Sequence, residues 1–190
     1  AKKQGQTYIS QCIGFSSIQA YMRLINQKLL SEGYITSRAV LPEQNIASGS
    51  LIILIQEGII ENIIFPDDYQ LLTSYALPLK IGGILNLRDM EQAVDQLNRL
   101  QSQNVEFKIK PGTVSNGSIL VAEVVLKKPW LINISLDDID SDETGSSPFS
   151  LTTTVDNVLG IQDSLKYSLS WAGETETGET NSSSFSWSLP

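Results

Sequence analysis

The chain has no histidine and a single cysteine, Cys12, among its 190 residues. A Ser-His-Asp triad, a Cys-His pair, the common zinc-ligand sets and a disulfide within the chain are therefore excluded. No apolar run approaches the ~20 residues of a membrane helix, because residues 51–55 and 59–65 are broken by Gln56, Glu57, Gly58, Glu61 and Asn62. A β-barrel span, whose strands need only about 9–11 alternating residues, stays open. Ala1-Lys2-Lys3-Gln4-Gly5-Gln6 is followed by polar residues, so no signal peptide is read here, and a processed protein would look the same. Basic charge is also scarce. Thirteen Lys and Arg face 21 Asp and Glu, for a net charge of −8, so no nucleic-acid partner is expected.

The acidic excess is confined to one part of the chain. Residues 1–130 carry a net +1, whereas residues 131–190 carry Lys166 alone against ten carboxylates, a net −9. The composition thus changes character near Trp130, the first candidate boundary.

What is present before that boundary is helical and repeated. Ser16 with Gln19 reads as a capping box, and Ile18, Met22, Ile25 and Leu29 recur at helical spacing up to Gly33, predicting a helix over 16–32. Residues 34–41 and 51–56 read as strands around a turn from Pro42 to Gly49. Downstream, Asn86 caps a helix over 86–102 with Leu87, Met90, Val94, Leu97 and Leu100 on one face, and Asp95 stands four residues before Arg99. Strands over 105–110 and 118–126 follow, around a turn from Pro111 to Gly117. Pro42 aligns with Pro111 and Gly49 with Gly117, a repeat of about 69 residues. The second unit also has a leading strand, 59–65, and a short helix, 70–77. The first begins midway through that pattern, so its first strand is expected to be missing and part of one sheet unpaired.

From Trp130 on, the period is two. Ile132, Ile134 and Leu136 alternate with Asn133 and Ser135; Leu165, Tyr167, Leu169 and Trp171 with Lys166, Ser168 and Ser170; Phe185, Trp187 and Leu189 with serines. Such strands have one apolar and one small-polar face. The apolar face packs into a soluble core or against lipid, and the period alone does not choose.

These segments resemble the outer-membrane transporters of bacterial two-partner secretion, the ShlB/FhaC haemolysin-activator (TpsB) family. The matching residues are Gly33-Tyr34-Ile35-Thr36-Ser37-Arg38, Leu41-Pro42-Glu43-Gln44-Asn45 with Ser48-Gly49, Glu57-Gly58-Ile59-Ile60, the run from Leu85 to Leu100, Pro111-Gly112 through Gly117-Ser118, and Val155 to Asp163. The resemblance implies an α+β fold of two polypeptide-transport-associated (POTRA) repeats, each β-α-α-β-β. They are followed by the first antiparallel strands of a truncated outer-membrane β-barrel. The domains would be residues 1–58 (first POTRA, its first strand missing), 59–129 (second POTRA) and 130–190 (start of the barrel). About four strands cannot close a barrel when eight is roughly the minimum. It further implies export of a large partner exoprotein, recognised through its N-terminal secretion domain, across the outer membrane, with residues 1–129 in the periplasm.

Recognition is expected at a sheet edge, where an extended client segment adds by main-chain hydrogen bonds. The candidate is Val105, Glu106, Phe107, Lys108, Ile109 and Lys110, and proline at Lys108 is the test that the sequence suggests. Resting of Val105, Phe107 and Ile109 on the helix is the competing role for those side chains. Tyr34 and Arg38 are secondary contacts. Arg88, Asp89 and Glu91 read as solvated helix-surface pairs, with a domain-interface role as the alternative. No catalytic residue, metal site or cofactor is assigned. Asp137, Asp138, Asp140 and Asp142 form a solvated turn or weak calcium loop rather than a glycosidase pair. The alternative functions are a POTRA-bearing barrel-assembly factor, and a carbohydrate-binding or adhesin β domain using Trp171 and Trp187.

Overall fold

In the computed structural model the described residues are 14–46, 49–67, 69, 77–136, 149–171 and 181–189. All but Leu77 of the expected helix 70–77 lies outside the described residues, as do Cys12 and the acidic segments 137–143 and 174–179. Helix α1 (Phe15–Ser31) is followed by strands β1 (Arg38–Val40), β2 (Leu54–Gln56) and β3 (Ile59–Ile64), and helix α2 (Leu87–Leu97) by β4 (Gln103–Pro111) and β5 (Gly117–Leu126). Strands β6 (Trp130–Leu136), β7 (Phe149–Asp156), β8 (Ser164–Trp171) and β9 (Asn181–Ser188) complete the order. Contacts divide the chain into two compact units: Ala1–Ile64 with Pro78–Ala93 and Phe107–Ala122, and Phe65–Leu77 with Val94–Glu106 and Glu123–Pro190.

Within the first unit, α1 turns Ile18 inward and half-buries Met22, Ile25 and Leu29, as the spacing requires. Its start differs from the expected one. Gly14 is the cap, and it makes no side-chain bond; its carbonyl accepts from the N–H groups of Ser17 and Ile18. Ser16 is thus already inside the helix. The end is as read: Gly33 takes φ +91°, a conformation open to a residue without Cβ.

The first hairpin is shorter than its β-branched runs suggest, pairing only Arg38–Val40 with Leu54–Gln56. A side-chain amide explains this: Gln44 accepts from the Ile52 N–H (2.7 Å) and donates to the Ile52 carbonyl (2.8 Å). Backbone groups satisfied in this way extend no ladder. Within the paired stretch, Asn26 of α1 accepts from the Ala39 N–H at 2.7 Å. Gly58 closes the unit tightly, since its N–H donates to Ser37 Oγ and a Cβ there would lie 2.8 Å from the Thr36 carbonyl carbon.

The three-stranded sheet has the order β3-β5-β4, with β3 parallel to the central β5. The β4–β5 hairpin is bounded by Gly112 N–H to Gly117 O at one end and Lys127 N–H to Ser102 O at the other. Both pairs share one antiparallel register, so the even-numbered residues of β4 bond β5 and the odd-numbered ones turn their backbone groups outward. β3 carries a bulge between Ile60 and Asn62. The bulge aims Glu61 at the β4–β5 turn, where its carboxylate accepts from Thr113 N–H (2.7 Å), Thr113 Oγ1 (2.6 Å) and Val114 N–H (3.1 Å).

In the second unit α2 stops earlier than the expected residue 102. Leu97 and Leu100 are buried there with Val105, but after Leu97 the chain turns, and Gln103 Nε2 donates back to the Leu97 carbonyl. The sheet β6-β7-β8-β9 is antiparallel throughout. Its register aligns Ile132, Thr153, Tyr167 and Phe185 across one face and Asn133, Thr152, Ser168 and Ser184 across the other. Hydroxyl pairs cross the polar face, Ser135 with Ser150, Thr152 with Ser168 and Ser170 with Ser182. The apolar face lies open: Trp130, Ile132, Ile134, Leu136, Phe185 and Trp187 are each more than half exposed. A face of this kind is stable against lipid and unstable against water.

Candidate functional site

The residues expected to meet a client fall on β4 and on the first hairpin. Among the described residues β4 is an edge strand, as the edge reading requires. Burial falls along it: Val105 is fully buried, Phe107 half-buried, and Ile109 38% exposed, while Glu106, Lys108 and Lys110 are exposed. Underside packing therefore accounts for Val105 and lapses towards Ile109.

The outward side of β4 is not uniform. Asn98, just beyond α2, turns its side chain across the edge, its Oδ1 accepting from Val105 N–H (2.7 Å) and its Nδ2 donating to Val105 O (3.0 Å). Sequence reasoning missed this residue, because an asparagine in a polar stretch of a helix reads as solvated. The one available signal was that asparagine competes for backbone partners near helix ends.

Past Val105, in the first unit, the structure brings Arg38 together with Ile109 and Lys110. With Thr36, Pro111, Asn116, Gly117 and Ser118 they line an open groove of about 400 Å³. Arg38 is exposed and donates from Nε to Gln56 Oε1 at 2.9 Å. Thr36 Oγ1, on the groove wall, is buried without a partner among the described residues. Tyr34 does not join the groove; it is half-buried, and its N–H closes the end of α1 on Leu29 O.

The helix-surface residues divide. Asn86 caps α2 as expected, accepting from Arg88 N–H at 2.9 Å, and its Nδ2 also donates to the Glu32 carbonyl at the end of α1. Leu87 N–H donates to Gly33 O, and Arg88 reaches Ser31 O at 3.5 Å. Arg88 stays exposed, and its contact joins α2 to the end of α1 within one compact unit. The Lys28 ammonium, with the Arg88 guanidinium further off, holds the Glu32 carboxyl below the usual range. Arg99 is not engaged with Asp95: its guanidinium donates to Gln162 O (2.7 Å) and to Leu189 O.

That arginine belongs to a buried polar knot in the second unit. Gln162, at φ +62°, donates its N–H to Asn157 Oδ1 and its Nε2 to Tyr69 Oη, and accepts at Oε1 from Gln103 and at O from Arg99. Asp156 accepts from Ser102 N–H and Ser164 Oγ. Asp163 accepts from Leu159 N–H and Trp187 Nε1; burial alone would raise its pKa, but these donors outweigh it and hold the carboxyl below the usual range. Burial pushes the Tyr69 phenol up, which keeps it a donor to Gln103 Oε1. The turn between β7 and β8 is thereby fixed to the segment following α2 by hydrogen bonds.

Three family descriptions match consecutive parts of the chain: "POTRA domain, ShlB-type" over 2–58, "POTRA domain" over 59–111, and "Haemolysin secretion/activation protein ShlB/FhaC/HecB" over 116–190. The chain belongs to this family. Its relatives in the ShlB/FhaC/HecB group include the outer membrane transporter CdiB-2 of Burkholderia pseudomallei, 33% identical over 95% of this chain and 31% of the relative. The hemolysin transporter protein ShlB of Serratia marcescens is 32% identical over 80% and 27%. The solved structure of CdiB from Escherichia coli covers the whole chain with a TM-score of 0.85 at 26% identity, and 36% of the CdiB chain is matched. The chain thus spans about a third of the length of these ShlB/FhaC/HecB relatives. The fold is that of POTRA domains followed by antiparallel barrel strands, and the setting is the outer membrane with a periplasmic segment.

Proposed function

We propose that this chain is the client-receiving and barrel-entry part of a two-partner-secretion transporter. Residues 1–58 and 59–129 form two periplasmic POTRA modules and residues 130–190 the first barrel strands, with no catalytic role. The full protein exports one partner exoprotein, which it engages through that protein's N-terminal secretion domain. The exposed apolar face of β6–β9, backed by a hydroxyl-lined polar face, supports membrane insertion. It also disfavours an adhesin domain, which would expose the polar face and bury the apolar one. The barrel-assembly alternative rests on fold likeness alone, as in BamA from Haemophilus ducreyi at 18% identity and TM-score 0.50.

The observation that carries client recognition is the edge position of β4 beside the Arg38–Lys110 groove. The register alters the test that the sequence suggested. Lys108 bonds inward to β5, so proline there breaks the hairpin itself, whereas Ile109 faces outward. In the full-length transporter, Ile109→Pro is expected to fold and to lose client capture and export, while Lys108→Pro unfolds the module. Wild-type capture by a folded Ile109→Pro transporter would reject the edge reading.

A further inference from the structure

Each edge of the three-stranded sheet is partly closed by the protein itself. On β3, Ile60 N–H donates to Gly83 O (2.8 Å), Gly82 N–H to Ile60 O (2.7 Å) and Leu85 N–H to Gly58 O (2.8 Å). Beyond the bulge, Asn62 Oδ1 takes the Ile63 N–H. That edge is strapped along its first half and bent in its second, the usual protection of an edge strand. On β4 the closure is a single side chain. Asn98 takes both outward backbone groups of Val105, the two groups that an added strand would need at that position. A side-chain amide presents a donor and an acceptor on one edge, which here meet the C=O and N–H of a single strand residue, so Asn98 stands where one residue of an incoming strand would stand.

The device is not a general closure of β4. Asn98 reaches one residue, and two residues apart along a strand is about 7 Å. At Ile109, four residues on, the strand faces outward next to a groove bearing two exposed cations, Arg38 and Lys110, with Pro111 and Gly117. The chemistry changes there from plugged backbone over a buried Val105 to an exposed apolar residue flanked by positive charge.

Resting on the edge-pairing function above, we propose that Asn98 is a register stop. It bars the Val105 position and confines the client's extended segment to the end of β4 around Ile109, where Arg38 and Lys110 select a carboxylate-bearing side chain. Asn98 is a positioning residue in this account: it fixes where the client pairs without itself being the recognised surface.

The experiment places a photocrosslinking residue in turn at the exposed positions Asn104, Glu106, Lys108 and Lys110 of the full-length transporter. The probe is the N-terminal secretion domain of the exoprotein encoded beside it. Crosslinks are expected at Lys108 and Lys110 and not at Asn104 or Glu106, with Asn98→Ala extending them to Glu106 and Asn104. Equal crosslinking at all four positions of the otherwise native protein, or a pattern that Asn98→Ala leaves unchanged, overturns the stop while keeping the edge. Absence of crosslinks at every position with export intact overturns the edge reading, and the stop with it. Hydrogen exchange without any client gives a second check. The Val105 amide should exchange about tenfold faster in Asn98→Ala with β5 amides unchanged, and Asn98→Asp, which keeps the acceptor, should restore its protection. An unaltered Val105 amide in Asn98→Ala overturns the proposal. Charge reversal at Arg38 and Lys110 should abolish capture and be rescued by a Lys in place of the client carboxylate; capture that survives reversal removes the selectivity.

Discussion

Glu61 shows how a half-buried residue at a strand's surface can be structural. The bulge in β3 places its carboxylate over two N–H groups and a hydroxyl of the β4–β5 turn. The Thr113 hydroxyl first and then the Val114 amide lower its pKa, desolvation opposes them, and the Thr113 amide lowers it by less. A carboxyl whose folded pKa is lowered contributes stability above its unfolded value and loses it as pH falls through the folded one. The Thr113 and Val114 amide resonances should therefore hold their positions down through the ordinary carboxylate range and move only below it. In Glu61→Gln that acid-range movement should vanish, which a pH titration by NMR would read; an unchanged titration would show that another group drives it. The sequence gives no hint of this clamp, since Glu61 interrupts an apolar run and looks like a simple outward-facing residue. The same blindness hid Asn98, Gln44 and Asn26. Each satisfies backbone groups by a side chain whose partner is 7 to 13 residues away, and no periodicity records such a bond.

At the scale of elements, the apolar stripes of both helices, the alternation of the last four strands and the Gly33 stop were legible, because each follows from a period or from a residue's own φ preference. Lengths were not. The first hairpin and the end of α2 differ from their propensity patterns where a side-chain amide takes the backbone groups, whereas α1 starts on the Gly14 carbonyl with no side-chain cap. Of the candidate site, the edge strand could be read and its unequal openness could not. The α1–α2 junction is a related case, in which Asn86 caps one helix and binds the last carbonyl of the other. Asn86→Ala should cost about 1–2 kcal/mol, at the upper end for a cap because a second bond is lost. Asn86→Ser, which can cap but cannot reach Glu32 with an amide, should recover about half. Denaturant midpoints of the three proteins would measure it, and equal values for Ala and Ser would show that the junction bond contributes nothing.

For the whole molecule, the decisive property is which solvent each face was built for. Ile132 and Asn133 are neighbours on opposite faces of β6, paired with Thr153 and Thr152. Ile132→Lys in the full-length transporter should reduce barrel stability in vesicles by about 1–4 kcal/mol, depending on its depth. Asn133→Lys, turned to the polar face, should change it little; equal losses would contradict the lipid assignment. The same partition has an optical result. The chain has three tryptophans, Trp130, Trp171 and Trp187, and the register puts all of them on the apolar face of the four-stranded sheet. None lies among residues 1–129. Indole emission therefore reports on the last four strands: it should shift to shorter wavelength and be quenched by brominated acyl chains on insertion, and unfolding of the periplasmic modules should reach it only through Trp187, which donates to Asp163, and Trp130, which Lys128 overlies.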